Sequence, residues 1–214
     1  MKKYLLIHVL IISSAFHSSH LIQAEEKQAI TLRSSYMDLS LSQVQSMSNI
    51  SIRKMDEWGF YGHSTIRHNY EKRSINGDGV VIDHATGLMW HPSGSSDYMR
   101  WNNANNWIRS LNYKEYAGYK DWRLPTLDEA VSLLEPSRMN GGPYIDPVFN
   151  GEQWGIWTGD THGSRGVWSV YFSLGNVRWN VKNRYVRPVR SLNDTYRQDA
   201  IGSINAINFP LDCK

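Results

Sequence analysis

Apolar and polar positions alternate along this chain in short blocks, and the sharpest block is Asp121-Trp122-Arg123-Leu124-Pro125-Thr126. Pro125 biases Leu124 towards extended backbone. Thr126 with Glu129 three residues on is a capping box: the hydroxyl takes one orphan backbone N–H and the carboxylate reaches back to another. Leu127, Ala130, Val131 and Leu134 then recur on one helical face. Glu135-Pro136 stops the helix. Trp122 is expected in the core at a strand-to-helix corner. The competing reading makes its neighbours Asp121 and Arg123 a ligand clamp.

The same pattern predicts the neighbouring elements. Asn76-Gly77-Asp78-Gly79 is a turn that opens the compact domain. Val80-Val81-Ile82 is a strand, Asp83 to Gly87 a turn, and Leu88-Met89-Trp90 the returning strand of a hairpin. A helix follows with Trp101, Ala104, Ile108 and Leu111 on one face and Trp107 at its edge. Asn102, Asn103, Asn105 and Asn106 fill the other side. Gly155-Ile156-Trp157-Thr158 is strand-like. Trp168, Val170, Phe172 and Leu174 point one way, and Ser169, Tyr171 and Ser173 the other. Leu174-Gly175-Asn176 turns the chain. Val177, Trp179 and Val181 then alternate with Arg178, Asn180 and Lys182. Tyr185 to Arg190 is expected to end the sheet, with Pro188 on an edge or at a bulge. The sum is an α+β fold: antiparallel hairpins and a meander with one wet, partly basic face, and two short helices packed on the sheet.

Before this body the pattern changes. Met1-Lys2-Lys3 and the apolar run Tyr4 to Phe16, closed by Ala24, read as a secretory signal peptide over 1–24. That run is too short for an ordinary membrane span, and no later segment is long and apolar enough. The mature protein is thus expected in the periplasm or secreted medium. Residues 25–75 form an N-terminal extension in which Ser40 and Gln43 make a second capping box, with Val44 and Met47 behind it. Trp58-Gly59-Phe60-Tyr61 is expected to dock on the domain, which spans 76–191. Residues 192–214 form a tail with no clear period.

Composition sharpens the picture in two places. There are 9 Trp and 12 Tyr against 5 Phe, an excess of amphipathic rings that suits both a small β-rich body and sugar stacking. Charge is unevenly placed. Asn76 to Asp160 holds 6 basic and 11 acidic residues, whereas Thr161 to Ser191 holds six basic residues and no acid. Such a block is either the solvated faces of strands or a site for an anionic partner. The lone cysteine, Cys213, excludes an internal disulfide and any cysteine-based metal or redox motif. His63 and His68 are spaced off a common helix face, so no metal site is read there. No Ser/His/Asp signature surrounds His84, His91 or His162. No catalytic residue and no cofactor are therefore expected.

Several of these stretches, in order, resemble the C-terminal domain family of the Legionella collagen-like protein. They are Gly77-Asp78-Gly79-Val80; Asp83 with Thr86-Gly87-Leu88-Met89-Trp90; Trp101 with Ala104; and Asp121 to Thr126. Ile145-Asp146-Pro147-Val148-Phe149, Trp157-Thr158, Trp168 with Phe172 and Gly175, and Tyr185 to Arg190 complete the set. Residues 32–47 are similar to an extension found in part of the family. The resemblance implies an exported adhesion module with a C-type-lectin-like fold, related also to formylglycine-generating enzymes, and binding of sulfated glycosaminoglycans. Two departures stand out: no Gly-x-y repeat precedes the domain, and Arg100 replaces the usual threonine cap before Trp101. An oxidase of the formylglycine type needs two cysteines, and the calcium-ligand motifs of animal lectins are missing. The expected ligand is acidic polysaccharide, met by Arg165, Arg178, Lys182 and Arg184. The alternative partner is an envelope protein. Nucleic acid is not expected of an exported chain whose formal charge of +3 includes Lys2 and Lys3 of the leader, so that the mature charge is near zero.

Overall fold

A computed structural model describes residues 30–164, 166–180 and 182–192. The expected signal peptide over 1–24, Arg165, Val181 and residues 193–214 with Cys213 lie outside the described residues.

Both capping boxes form. Ser40 accepts the Gln43 N–H while the Gln43 side chain accepts the Ser40 N–H, starting α1 (Leu41–Gln45). Thr126 and Glu129 do the same at α3 (Leu127–Ser132), where Leu127, Ala130, Val131 and Leu134 are all buried. Glu129 is itself buried and takes a bidentate grip from Arg123 at 2.7 and 2.6 Å. Between them α2 (Trp101–Tyr113) buries Ala104, Ile108 and Leu111, and Arg100 stands at its N-terminus without a capping hydrogen bond. Trp122 is buried, its backbone clasped on both sides by the Asn112 amide and its Nε1 donating to the Tyr116 carbonyl. The clamp reading fails at this corner, since Asp121 is paired with Arg190 and Arg123 with Glu129.

The strands are β1 (Ile50–Asp56), β2 (Gly59–Ser64), β3 (Tyr70–Ile75), β4 (Asp78–Asp83), β5 (Leu88–Trp90), β6 (Gly155–Thr161), β7 (Val167–Tyr171), β8 (Asn176–Asn180) and β9 (Val189–Ser191). They form two antiparallel sheets, β1-β2-β8-β7-β6 and β3-β4-β5-β9. The architecture is α+β: antiparallel sheets with a few short helices. The hairpin β4–β5 and the meander β6–β7–β8 follow the alternation of the sequence. Phe60, Trp168, Val170, Phe172 and Val177 from the first sheet meet Val81, Leu88, Trp90 and Val189 from the second, with α3 in the same apolar cluster.

Two sequence expectations are corrected. The stretch Tyr185 to Arg190 does not end the meander. Val189–Ser191 crosses to the other sheet and pairs with β5, and Tyr185 makes only an isolated bridge to Ile156. Leu174 is 51% exposed because the period breaks in the turn between β7 and β8, and it stands two residues after the buried Phe172. The 25–75 segment also contributes more than one helix. β1 and β2 extend the first sheet through β8, and β3 edges the second through β4. Ahead of α1, residues 30–39 run as a strap. Its Arg33 grips the buried Asp160 carboxylate at 2.9 and 2.7 Å, and Asp160 also accepts the N–H groups of Met37 and Leu127.

Candidate functional site

The tip of the β1–β2 hairpin places the first ring of the site. Asp56 accepts the Trp58 N–H, and Gly59 follows with φ +151°. A Cβ on Gly59 would lie 2.0 Å from the Val177 carbonyl oxygen, so only glycine lets β2 close on β8 here. Register then sets Gly59 beside Arg178, and the Trp58 carbonyl accepts the Trp179 N–H. The Trp58 and Trp179 rings stand 4.9 Å apart, tilted by 47°. Trp58 is 45% exposed, an unusual cost for the largest apolar side chain.

A second ring pair comes from the loop before β6 and the end of β7: Trp154 and Tyr171, 6.0 Å apart. These four rings line an open groove of about 560 Å³ together with Arg178, Asn180, Lys182 and Arg184. Ring faces with a few fixed polar groups are the usual make-up of a ligand site. The Asn180 amide donates to the Tyr171 hydroxyl and to Ser169 Oγ, both at 2.9 Å, and its oxygen accepts the Lys182 N–H. That network orders the turn that carries Lys182.

The cations of the basic block have different fates. Arg178 is held by Asp56 at 2.6 Å and touches the Tyr61 hydroxyl at 3.2 Å, with its guanidinium 5.6 Å from that ring. Arg190 is held by Asp121. Arg187 is fully buried and donates to the carbonyls of His91, Pro92 and Asn150; burial lowers its pKa to about 9. Both are fold-building groups. The even basic face suggested by the charge count is therefore absent among the described residues. Lys182 is exposed, and no carboxylate pairs with it or with Arg184 among the described residues. Arg165 lies outside those residues.

Arg184 is the unusual group. It is 4% exposed, yet it lines the groove. Its guanidinium sits 4.4 Å from the Tyr171 ring centre, 5.4 Å from Trp154 and 5.9 Å from Trp157. Its Nε is buried without a partner, and among the described residues its guanidinium makes one hydrogen bond, from Nη1 to the neighbouring Asn183 carbonyl. Burial lowers its pKa to about 10, so it stays charged at neutral pH. A buried cation is ordinarily paired with an acid. Among the described residues this one is compensated by ring faces and the Asn183 carbonyl instead.

Three of the four residues named from sequence, Arg178, Lys182 and Arg184, thus share one groove. The sequence reading did not single out Trp154, Tyr171, Trp179 or Asn180 as site residues. Only the surplus of Trp and Tyr hinted at them. Among the described residues no group of three His, Asp or Glu could hold a metal ion, and no helix is long and apolar enough to cross a membrane.

No curated protein and no solved structure matches the chain. A family model does: the Lcl C-terminal domain matches residues 79–190, from within β4 through Arg190. That match spans more than half of the 214 residues, and the chain belongs to the Lcl C-terminal domain family.

Proposed function

We propose that the protein is an exported binding module that holds acidic polysaccharide in the groove beside Arg184, and that it binds its ligand without transforming it. The reading includes the C-type-lectin-like descent of the fold and a location outside the cytoplasm. One observation supports it: a guanidinium kept nearly out of solvent, with no acid paired to it among the described residues, in the wall of an aromatic groove. A sulfate or carboxylate meets such a group with two parallel N–H bonds. The rings of Trp58, Trp179 and Trp154 offer apolar faces to the C–H faces of sugar rings, at small entropic cost. Lys182 adds a mobile charge at the rim.

Calorimetric titration with a heparin-derived oligosaccharide at low and high salt tests this. Saturable binding that weakens as salt rises is the expected outcome, because part of the attraction is screened. Absence of binding at low salt, with an envelope protein captured through the same rings and not displaced by the oligosaccharide, would replace this ligand with a protein partner.

A further inference from the structure

Away from the groove, Tyr144 lies between two guanidiniums. Arg53 is 5.5 Å from its ring centre and Arg138 is 5.2 Å. The two arginines arrive from remote parts of the chain. Arg53 is the extra residue of a bulge in β1, where Ile52 pairs with Gly62 and Lys54 with Tyr61. A bulge re-aims the side chain it carries, and bulges recur beside binding sites for that reason. Arg138 comes from the loop after α3.

Both guanidiniums are fixed by neutral carbonyls. Arg53 donates to Pro136 at 3.0 Å; Arg138 donates to Gly142 and to Ser173, each at 3.0 Å. Neither has a carboxylate within ion-pair distance among the described residues, unlike Arg33, Arg123, Arg178 and Arg190. Glu135, the acid nearest Arg138 in sequence, makes no ion pair with either arginine; burial and the Asp146 charge raise its pKa, with His68 opposing. Burial and the Arg53 charge hold His63 below the ordinary imidazole value. Two exposed, pre-oriented charges of one sign keep N–H groups left over that can grip an anion. The turn between β7 and β8 is shaped to admit them. Gly175 has φ +65°, and a Cβ there would press on Arg53 Nη2 and the Tyr144 ring, both at 3.1 Å.

We infer that Arg53, Tyr144 and Arg138 form a second anion-binding subsite for the same acidic polymer, gripping a sulfate or carboxylate beyond the groove. This rests on the groove reading above. The clamp borders Gly175, just before β8, and the groove runs from Tyr171, which pairs with Asn176, to Asn180, its far wall five residues from Gly175, or about 17 Å at ~3.3 Å per residue. A long chain engages both subsites and gains effective concentration at the second; a short one fills the groove alone.

The test compares the wild type with Arg53→Gln/Arg138→Gln, using a heparin tetrasaccharide and a long heparin chain. The long chain is expected to lose at least about tenfold in affinity, with a shallower salt dependence, while the tetrasaccharide binds unchanged. A second variant, Arg53→Lys/Arg138→Lys, is expected to restore most of the salt dependence and only part of the affinity, since an ammonium supplies charge without the fork. Unchanged long-chain affinity in the glutamine variant overturns the subsite and leaves the groove standing. Equal loss for both ligands also overturns it, by placing the effect in the groove or the fold. Failure of the wild type to bind the tetrasaccharide removes the groove reading, and the subsite with it.

Discussion

Replacing Arg184 by methionine separates a group kept for binding from one kept for stability. Burial lowers its pKa to about 10, a gross penalty on the folded state of about 3 kcal/mol. Solvent at the groove mouth screens part of that penalty. The three ring faces return roughly 0.5–2 kcal/mol, and the hydrogen bond to Asn183 about 1 kcal/mol. What remains is near zero, or about 1 kcal/mol against folding. Methionine keeps the apolar contacts with Tyr171, Trp154 and Trp157 and drops the charge. Such replacements of a buried ion are often neutral or stabilising. Arg184→Met is therefore expected to melt within about 4 °C of the wild type, equal or higher. Thermal unfolding followed by near-UV circular dichroism measures it. A loss of more than about 2 kcal/mol would refute the reasoning: Arg184 would then be a structural pillar whose compensation lies in contacts not credited to it.

Three further outcomes follow from the same geometry. Asp160→Ala removes a buried carboxylate with four donors, strands two backbone N–H groups, and is expected to cost about 3–5 kcal/mol in chemical denaturation; a loss under about 1 kcal/mol would show that the strap at residues 30–39 carries no stability. His68 bonds to Asp83 through Nδ1 and to the Ser132 carbonyl through Nε2, both at 2.7 Å. Burial opposes its charge, but Asp83 and Ser132 outweigh burial and raise its pKa; Asp83 is lowered, burial being outweighed by His68, Thr86 and Asn69. The His68 contribution is then full below about pH 6.5, the unfolded imidazole value, and fades as pH rises through the higher folded value. Melting temperature should decline over that window and the decline should flatten in His68→Gln; an identical profile for both proteins would count against the charged pair. Gly59→Ala drives a methyl into the Val177 carbonyl and is expected to destabilise by more than about 2 kcal/mol in chemical denaturation; wild-type stability would mean that β2 does not close on β8.

The parts of the fold that could be read from the sequence are the local ones. The two capping boxes, the β4–β5 turn and the α2 stripe each depend on residues within one or two turns of each other. The pairing of β2 with β8 joins Gly59 to Arg178, across most of the domain, and no short-range pattern announces it. The arginines show the same limit. Alternation places Arg178, Lys182, Arg184 and Arg190 along the final strands, but which of them finds an acid depends on Asp56 and Asp121, 122 and 69 residues distant. Arg184 and Arg187 are three residues apart, and one ends against rings in a groove while the other ends against backbone carbonyls in the core. Trp154 sits in Glu152-Gln153-Trp154-Gly155, where no period marks it as a site residue; only its distance to Tyr171 does.

The central claim is that an acid-free guanidinium in an aromatic groove receives an anionic sugar. Its most direct test is a tryptophan-fluorescence titration of the wild type and Arg184→Met with a sulfated tetrasaccharide at low salt. The account predicts saturable quenching in the wild type and a flat trace in the stably folded variant. Equal quenching in the two proteins would contradict it.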